Sequence, residues 1–249
     1  MNRFARPLVL AAALALTALP AAAQDFSTAQ RGEIEKIIKE YLIRHPEVLQ
    51  EAMAELEKKQ QLAETEKARS AIKNHSDALF NSPRQVVLGN PQGDVTFVEF
   101  FDYNCGYCKR ALTDMVEIMG KDPKLKVVLK EFPVLGPGSV EAAQVAVAVR
   151  MQDKTGKKYL EFHQKLLGGR GQVDKAKALA TAKEIGLDMA RLDKDLKSDE
   201  IGKTLDESMK LAEALGLNGT PSYVIGNDVV IGAVGQAALS QKIQAARQQ

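Results

Sequence analysis

With only two cysteines in 249 residues, the chain cannot carry the multi-bridge framework that staples small exported domains. Both sit in one short motif, and a bridge across two intervening residues closes too small a loop to stabilise a fold of this size. The pair therefore reads as reactive, not structural. Net charge is also scarce: 34 Lys and Arg face 32 Asp and Glu, and the surplus is Arg3 and Arg6. From Gln24 onward the two signs balance and are interspersed. That excludes a general attraction to nucleic acid or anionic lipid and leaves no acidic tail. No apolar run after Gln24 approaches the roughly 20 residues that span a bilayer. Internal repeats and low-complexity tracts are absent.

What is present begins with a leader. Arg3 and Arg6 form a basic start, Leu8 to Leu19 is a short apolar core, and Ala21-Ala22-Ala23 offers small residues to a signal peptidase. This is the pattern of a secretory signal peptide over residues 1–23, with cleavage after Ala23. A retained membrane anchor is the alternative, and the apolar run is short for it. The mature chain is expected outside the cytoplasm.

Residues 24–81 read as an all-helical segment. Ile34, Ile37, Ile38, Tyr41 and Leu42 recur at helical spacing. Pro46 cannot continue that helix but suits the start of another, expected from Pro46 to about Phe80. There Leu49, Leu56 and Ala63 recur every seven residues amid Glu and Lys. So thin an apolar stripe does not fold by itself. It packs on the rest of its own chain, or on the same segment of neighbouring chains, or stands as a solvated arm; self-association is the reading favoured here.

Residues 82–249 alternate strand and helix signals. Val86-Val87-Leu88 and Val95–Phe101 read as strands, followed by a helix from Cys105 through Met119 and a strand at Leu125–Phe132, which makes a βαβ unit. A helical stretch spans about 139–215. Strand character returns at Ser222–Ile225 and Val229–Ile231, around a turn at Asn227-Asp228, and a last helix covers about 236–247. The pattern is α/β: a thioredoxin fold with an inserted helical subdomain, preceded by the all-helical N-terminal segment.

Cys105 and Cys108 lie three apart at the strand-to-helix junction, on one helix face and close enough to bond. At the helix start, unpaired backbone N–H groups and the helix dipole favour a thiolate. Cys105, exposed at the helix start, is the expected nucleophile, and Cys108, one turn in and more buried, the residue that resolves the mixed disulfide. Metal binding is the competing reading. One cysteine pair supplies two of the four ligands a structural zinc needs, and no histidine is near in sequence, so no metal or other cofactor is assigned.

The run Phe97-Val98-Glu99-Phe100-Phe101-Asp102-Tyr103-Asn104-Cys105-Gly106-Tyr107-Cys108 resembles the active-site strand of the DsbA-like thiol–disulfide oxidoreductases. Gly219-Thr220-Pro221-Ser222 resembles their cis-proline loop, and the order and spacing of the two motifs match that family over about residues 86–247. Ile37 to Glu51 resembles the helical extension of the ScsC (suppressor of copper sensitivity) branch, some members of which are trimeric isomerases. The resemblance implies a periplasmic enzyme that exchanges disulfides with exported, cysteine-containing clients and is reduced or reoxidised by a membrane partner. It implies that Pro221 is cis and presents the Thr220 backbone to a client peptide, with Gly106 and Tyr107 beside it; an ordinary turn proline is the alternative. It also implies that Glu99 is buried beneath the cysteines and moves protons during resolution. A solvent-facing edge glutamate is the alternative, and Lys130 in the next strand is a candidate partner for it.

The N-terminal helices tilt the reading toward a homotrimeric isomerase or reductase over a monomeric dithiol oxidase. A copper(I)-handling role for the thiol pair competes from another class. His45 is read as a helix starter, and His75 and His163 as surface residues. Met115, Met119, Met151, Met189 and Met209 fall at core spacing. Phe132–Ser139 is a stiff loop, and Gly168-Gly169-Arg170-Gly171 an interhelical turn.

Overall fold

A computed structural model describes residues 26–153 and 155–248; the leader read at 1–23 lies outside them. The chain divides into two compact units, the first ending at Glu57 and the second beginning at Lys58. Helix α1 (Thr28–Arg44) opens on a reciprocal cap. Ser27 Oγ accepts the Gln30 N–H at 3.3 Å, and the Gln30 side chain accepts the Ser27 N–H at 2.9 Å. The helix stops at His45, ahead of Pro46, and α2 (Glu47–Asn74) follows. No residue of α1 is buried, and Ile34, Ile37, Ile38, Tyr41, Leu49, Met53 and Leu56 are exposed.

The single helix expected as far as Phe80 is broken at His75. Its N–H closes α2 on the Ala71 carbonyl, and its own carbonyl begins the short α3 (Ser76–Phe80). The break brings Leu79 into the core with Ile72. The last carbonyls of α3 find donors on the sheet and the following loop. Lys130 Nζ reaches Ala78 O at 2.6 Å, Lys126 Nζ reaches Phe80 O at 2.7 Å, and Gln85 Nε2 reaches Phe80 O at 2.8 Å.

Five strands form one sheet: β1 (Val86–Gly89), β2 (Val95–Phe101), β3 (Leu125–Glu131), β4 (Ser222–Ile225) and β5 (Asp228–Ile231), in the order β1-β3-β2-β4-β5. Only β2 and β3 run parallel, joined by α4 (Gly106–Lys121). The other neighbours are antiparallel. The insertion supplies α5 (Pro137–Gln152), α6 (Lys157–Gly168), α7 (Lys175–Glu184), α8 (Met189–Asp195) and α9 (Asp199–Ala214), and α10 (Gln236–Ala246) closes the fold. Ala142, Ala143 and Val145 through Val149 are all buried, as a helix apolar nearly all round requires.

Both faces of the sheet are covered, so β2 reads as an almost continuous apolar run. Phe97 and Phe101 enter one core cluster with α4, α5 and α6. Val98 and Phe100 enter the other, with Ile72, Leu79, Leu211 and Leu215. Glu99 falls on the first face.

Three expectations are corrected. Lys130 does not pair with Glu99: in the β2–β3 register Lys130 lies opposite Phe100 and Leu129 opposite Glu99, so the lysine projects to the other face. There it lies 3.6 Å from Glu207, and burial lowers its pKa to about 8 against the pull of that carboxylate. His163 is buried, 1% exposed, with its ring 4.5 Å from that of Phe101; burial holds it neutral, with a pKa of about 3. Met209 is exposed, unlike the buried Met115.

Candidate functional site

The site is built where β2 turns into α4. The Asp102 carbonyl accepts the Cys105 N–H at 3.1 Å. Its buried carboxyl takes four more hydrogen bonds. Oδ1 accepts from Asn104 N (2.7 Å) and Ser139 Oγ (2.7 Å), and Oδ2 accepts from Val134 N (2.8 Å) and Leu135 N (2.9 Å). One side chain therefore fastens the 132–139 loop beneath the cysteine motif. Asn104 ties in a second loop: its amide donates to Val173 O at 2.9 Å and accepts the Val173 N–H at 2.7 Å. The approach is close enough that a Cβ on Gly138 would lie 2.8 Å from Val173 O, so that position excludes a side chain. Sequence reasoning missed Asp102 and Asn104. The only signal was a pair of turn-forming residues ahead of a helix.

Cys105 is the N-cap of α4 with a free thiol, and it is not exposed as expected but only 5% so, because the Thr220–Pro221 loop packs over it. Its Sγ accepts the Cys108 N–H at 3.4 Å and donates to Thr220 O at 3.1 Å. The Thr220–Pro221 peptide bond is cis. Ser222 Oγ donates to Gly219 O at 2.7 Å and Gly232 N–H to Pro221 O at 2.8 Å, which fixes this loop against the sheet. Gly106 and Tyr107 are exposed on the first turn of α4, and the Arg110 guanidinium lies 4.5 Å over the Tyr107 ring. Cys108 is fully buried, and burial pushes its thiol well above the ordinary range, with Glu99 and Cys105 adding to the rise.

Glu99 lies 1% exposed beneath the pair, directly across the β2–β4 ladder from Tyr223. Its Oε2 has no hydrogen-bond partner. Burial, with Asp114 as a lesser cause, raises its pKa to about 8. The edge-glutamate alternative is thereby removed. With a pKa of about 8 the carboxyl holds its proton in most molecules at neutral pH, and its carboxylate form, which grows as pH rises toward 8, is the one that accepts a proton from a neighbouring thiol. The two motifs that the sequence separates by more than a hundred residues thus converge on Cys105 and Cys108. Among the described residues no group of three or more His, Cys, Asp or Glu side chains is arranged for a metal ion.

The buried acid makes stability pH-dependent. Between its ordinary 4.5 and about 8, the folded protein keeps a proton that the unfolded chain has released, so stability falls as pH rises through that window. The full gap is worth on the order of 5 kcal/mol. A Glu99→Gln protein is expected to match the parent near pH 4.5 and to exceed its melting temperature increasingly up to pH 8–9. Thermal melts across that range check this; an offset independent of pH would refute it.

The sheet order, with a Cys-x-x-Cys pair at the head of the helix after β2, is that of the thioredoxin fold. A model of the DSBA-like thioredoxin domain matches residues 96–244, and one of the copper resistance protein ScsC N-terminal domain matches residues 30–63. A thioredoxin-like oxidoreductase from Silicibacter pomeroyi DSS-3 is 44% identical, with a TM-score of 0.66 over 70% of this chain and 98% of that one. ScsC from Proteus mirabilis, in a transitional conformation, is 29% identical, with a TM-score of 0.65 over 90% of this chain and 97% of that one. The thiol:disulfide interchange protein DsbA of Bordetella pertussis is 28% identical over 139 residues, 54% of this chain and 64% of its own. Among curated relatives, the chain spans only 27% of the length of the Na(+)/H(+) antiporter NhaA 1 of a Mycobacterium species. The chain belongs to the DSBA-like thioredoxin domain family, in its ScsC branch.

Proposed function

We propose that this protein is a periplasmic thiol–disulfide oxidoreductase that exchanges disulfides with the cysteines of exported proteins and acts as an oligomeric isomerase or reductase. The observation that carries the reading is the contrast between the two sulfurs. Cys105 sits at the helix cap, within hydrogen-bonding distance of the Thr220 carbonyl, while Cys108 is sealed above an unpartnered carboxyl. Cys105 attacks a client disulfide and forms the mixed disulfide. Glu99 in its carboxylate form takes the Cys108 proton, and the Cys108 thiolate attacks Cys105 Sγ to release the client thiolate. Thr220 and Pro221 receive the extended client backbone, and Gly106 and Tyr107 border it. A membrane partner returns the closed pair to the dithiol.

The exposed isoleucines of α1, in the segment matching the ScsC N-terminal domain, support assembly into a homotrimer with the redox sites facing one another. Among the described residues no helix is long and apolar enough to cross a membrane. An Ile37→Asp, Ile38→Asp double variant is expected to fall from trimer to monomer by light scattering. It should also lose the ability to correct scrambled ribonuclease while still reducing a small disulfide. A parent protein that is monomeric, or that gives no gain in correct pairing, would end the isomerase reading and leave the monomeric dithiol oxidase. The copper resistance named for the residue 30–63 match favours one second reading, copper(I) held by the thiol pair. Copper(I) titration of the reduced protein against a Cys105→Ser variant separates it.

A further inference from the structure

One flank of the cysteine pair carries more positive charge than negative. The two hydrogen bonds between Asn104 and Val173 hold the 169–174 turn beside Cys105. One turn along α4 from Cys105, Lys109 Nζ donates to Gly169 O at 3.0 Å. From α7, Lys177 Nζ donates to Arg170 O at 2.5 Å. Lys109, Lys177 and the exposed Arg170 therefore gather on one short turn, and Arg110 follows Lys109 on the exposed side of α4. A backbone carbonyl satisfies an ammonium N–H without cancelling its charge. Among the described residues none of these four cations makes an ion pair. Elsewhere Lys165, Lys197, Lys203 and Arg247 each lie within 3 Å of a carboxylate.

The five bases of this flank, counting Lys175, face three acids, Asp114, Glu141 and Asp174, which keep their own charge when they accept a backbone N–H. Asp174 caps α7 by accepting the Lys177 N–H at 2.9 Å, and Glu141 accepts the Lys175 N–H at 3.3 Å. Asp114 lies one turn beyond Arg110 and influences the buried Glu99. Outside the leader the chain carries equal numbers of acids and bases, so this excess is local, not a reflection of a basic protein. The excess charge of this flank acts on a docking client over roughly the screening length, about 8 Å at physiological salt.

We propose that Lys109, Arg110, Arg170 and Lys177 form a basic rim that selects client cysteines flanked by Asp or Glu, drawing the acidic segment across the head of α4 and the 169–177 turn. The proposal rests on the disulfide-exchange reading and names its substrate class. Complementary charge of this kind raises the association rate more than the lifetime of the complex, and salt weakens it.

The test compares exchange rates of the full mature protein with three probes. These are neutral 2-hydroxyethyl disulfide, and two peptide disulfides identical except that Glu or Lys flanks the cysteine. At low ionic strength the Glu peptide is expected to react about tenfold faster than the Lys peptide, the gap closing to about twofold at 0.5 M salt. An Arg170→Glu, Lys177→Glu protein should reverse the order. Equal peptide rates at low salt, or a preference that neither salt nor the double substitution alters, would overturn the rim. The salt titration needs no variant and decides even if the double variant misfolds. Failure of the neutral disulfide to react would instead overturn the exchange reading itself.

Discussion

A Cys108→Ser protein is expected to accumulate a covalent adduct between Cys105 and its client, whereas a Cys105→Ser protein forms none. The asymmetry follows from a small difference in access, Cys105 being 5% exposed and Cys108 not at all. Cys105 Sγ stands at the cap of α4 with the Thr220 carbonyl in reach, while Cys108 is wholly enclosed. In the parent the second sulfur is held one helical turn from the first. Intramolecular attack of this kind has an effective molarity of roughly 10⁵ M or more. Free thiols at millimolar concentration cannot replace it, so release of the client should slow by at least about a hundredfold. Non-reducing electrophoresis of the two variants incubated with a disulfide-bonded client reads the outcome. An adduct formed by the Cys105→Ser protein and absent from the Cys108→Ser protein would invert the assigned roles.

Loss of the Asp102 carboxyl should free the 132–139 loop from the cysteine motif and destabilise the fold. Asp102→Ala leaves three backbone N–H groups and the buried Ser139 hydroxyl without their acceptor; the Val134 and Leu135 amides lie on an exposed loop. An unsatisfied buried donor costs about 1–3 kcal/mol. Since the exposed Val134 and Leu135 amides can turn to water and recover part of this, a loss of about 2–4 kcal/mol is expected. Asp102→Asn keeps one acceptor oxygen and should lose less. Denaturant titration measures the stabilities, and hydrogen exchange at the Val134 and Leu135 amides should quicken in step. A loss below about 1 kcal/mol would show that the loop is held by other means.

The features legible in the sequence are those written in adjacent residues. β-rich runs bounded by turn signals gave the five strands, the cysteine spacing placed the pair at a helix start, and Gly219-Thr220-Pro221 marked the loop that meets it. What stayed hidden depends on partners far along the chain. The ligands of Asp102 and Asn104 come from residues up to 69 positions away, and no local pattern announces them. His163 looked like a surface residue because its helix carries Lys and Gln around it, yet Phe101, Tyr103 and Tyr159 enclose its ring. Lys130 failed for a different reason. A one-residue step in a strand reverses the face, and a strand covered on both sides shows no alternation from which to read that face. Glu99 was visible because an acid in an apolar strand stands out whichever way it points.

The lysines that reach from β3 to the end of α3 also decide how the protein can be cut. A redox fragment begun at residue 82 would strip Lys130 of its carbonyl acceptor and open the slots filled by Ile72 and Leu79, exposing the underside of the central strands. Protease trimming should therefore stall upstream of Ile72, and the smallest fragment that survives digestion should retain the final turn of α2 as a built-in lid.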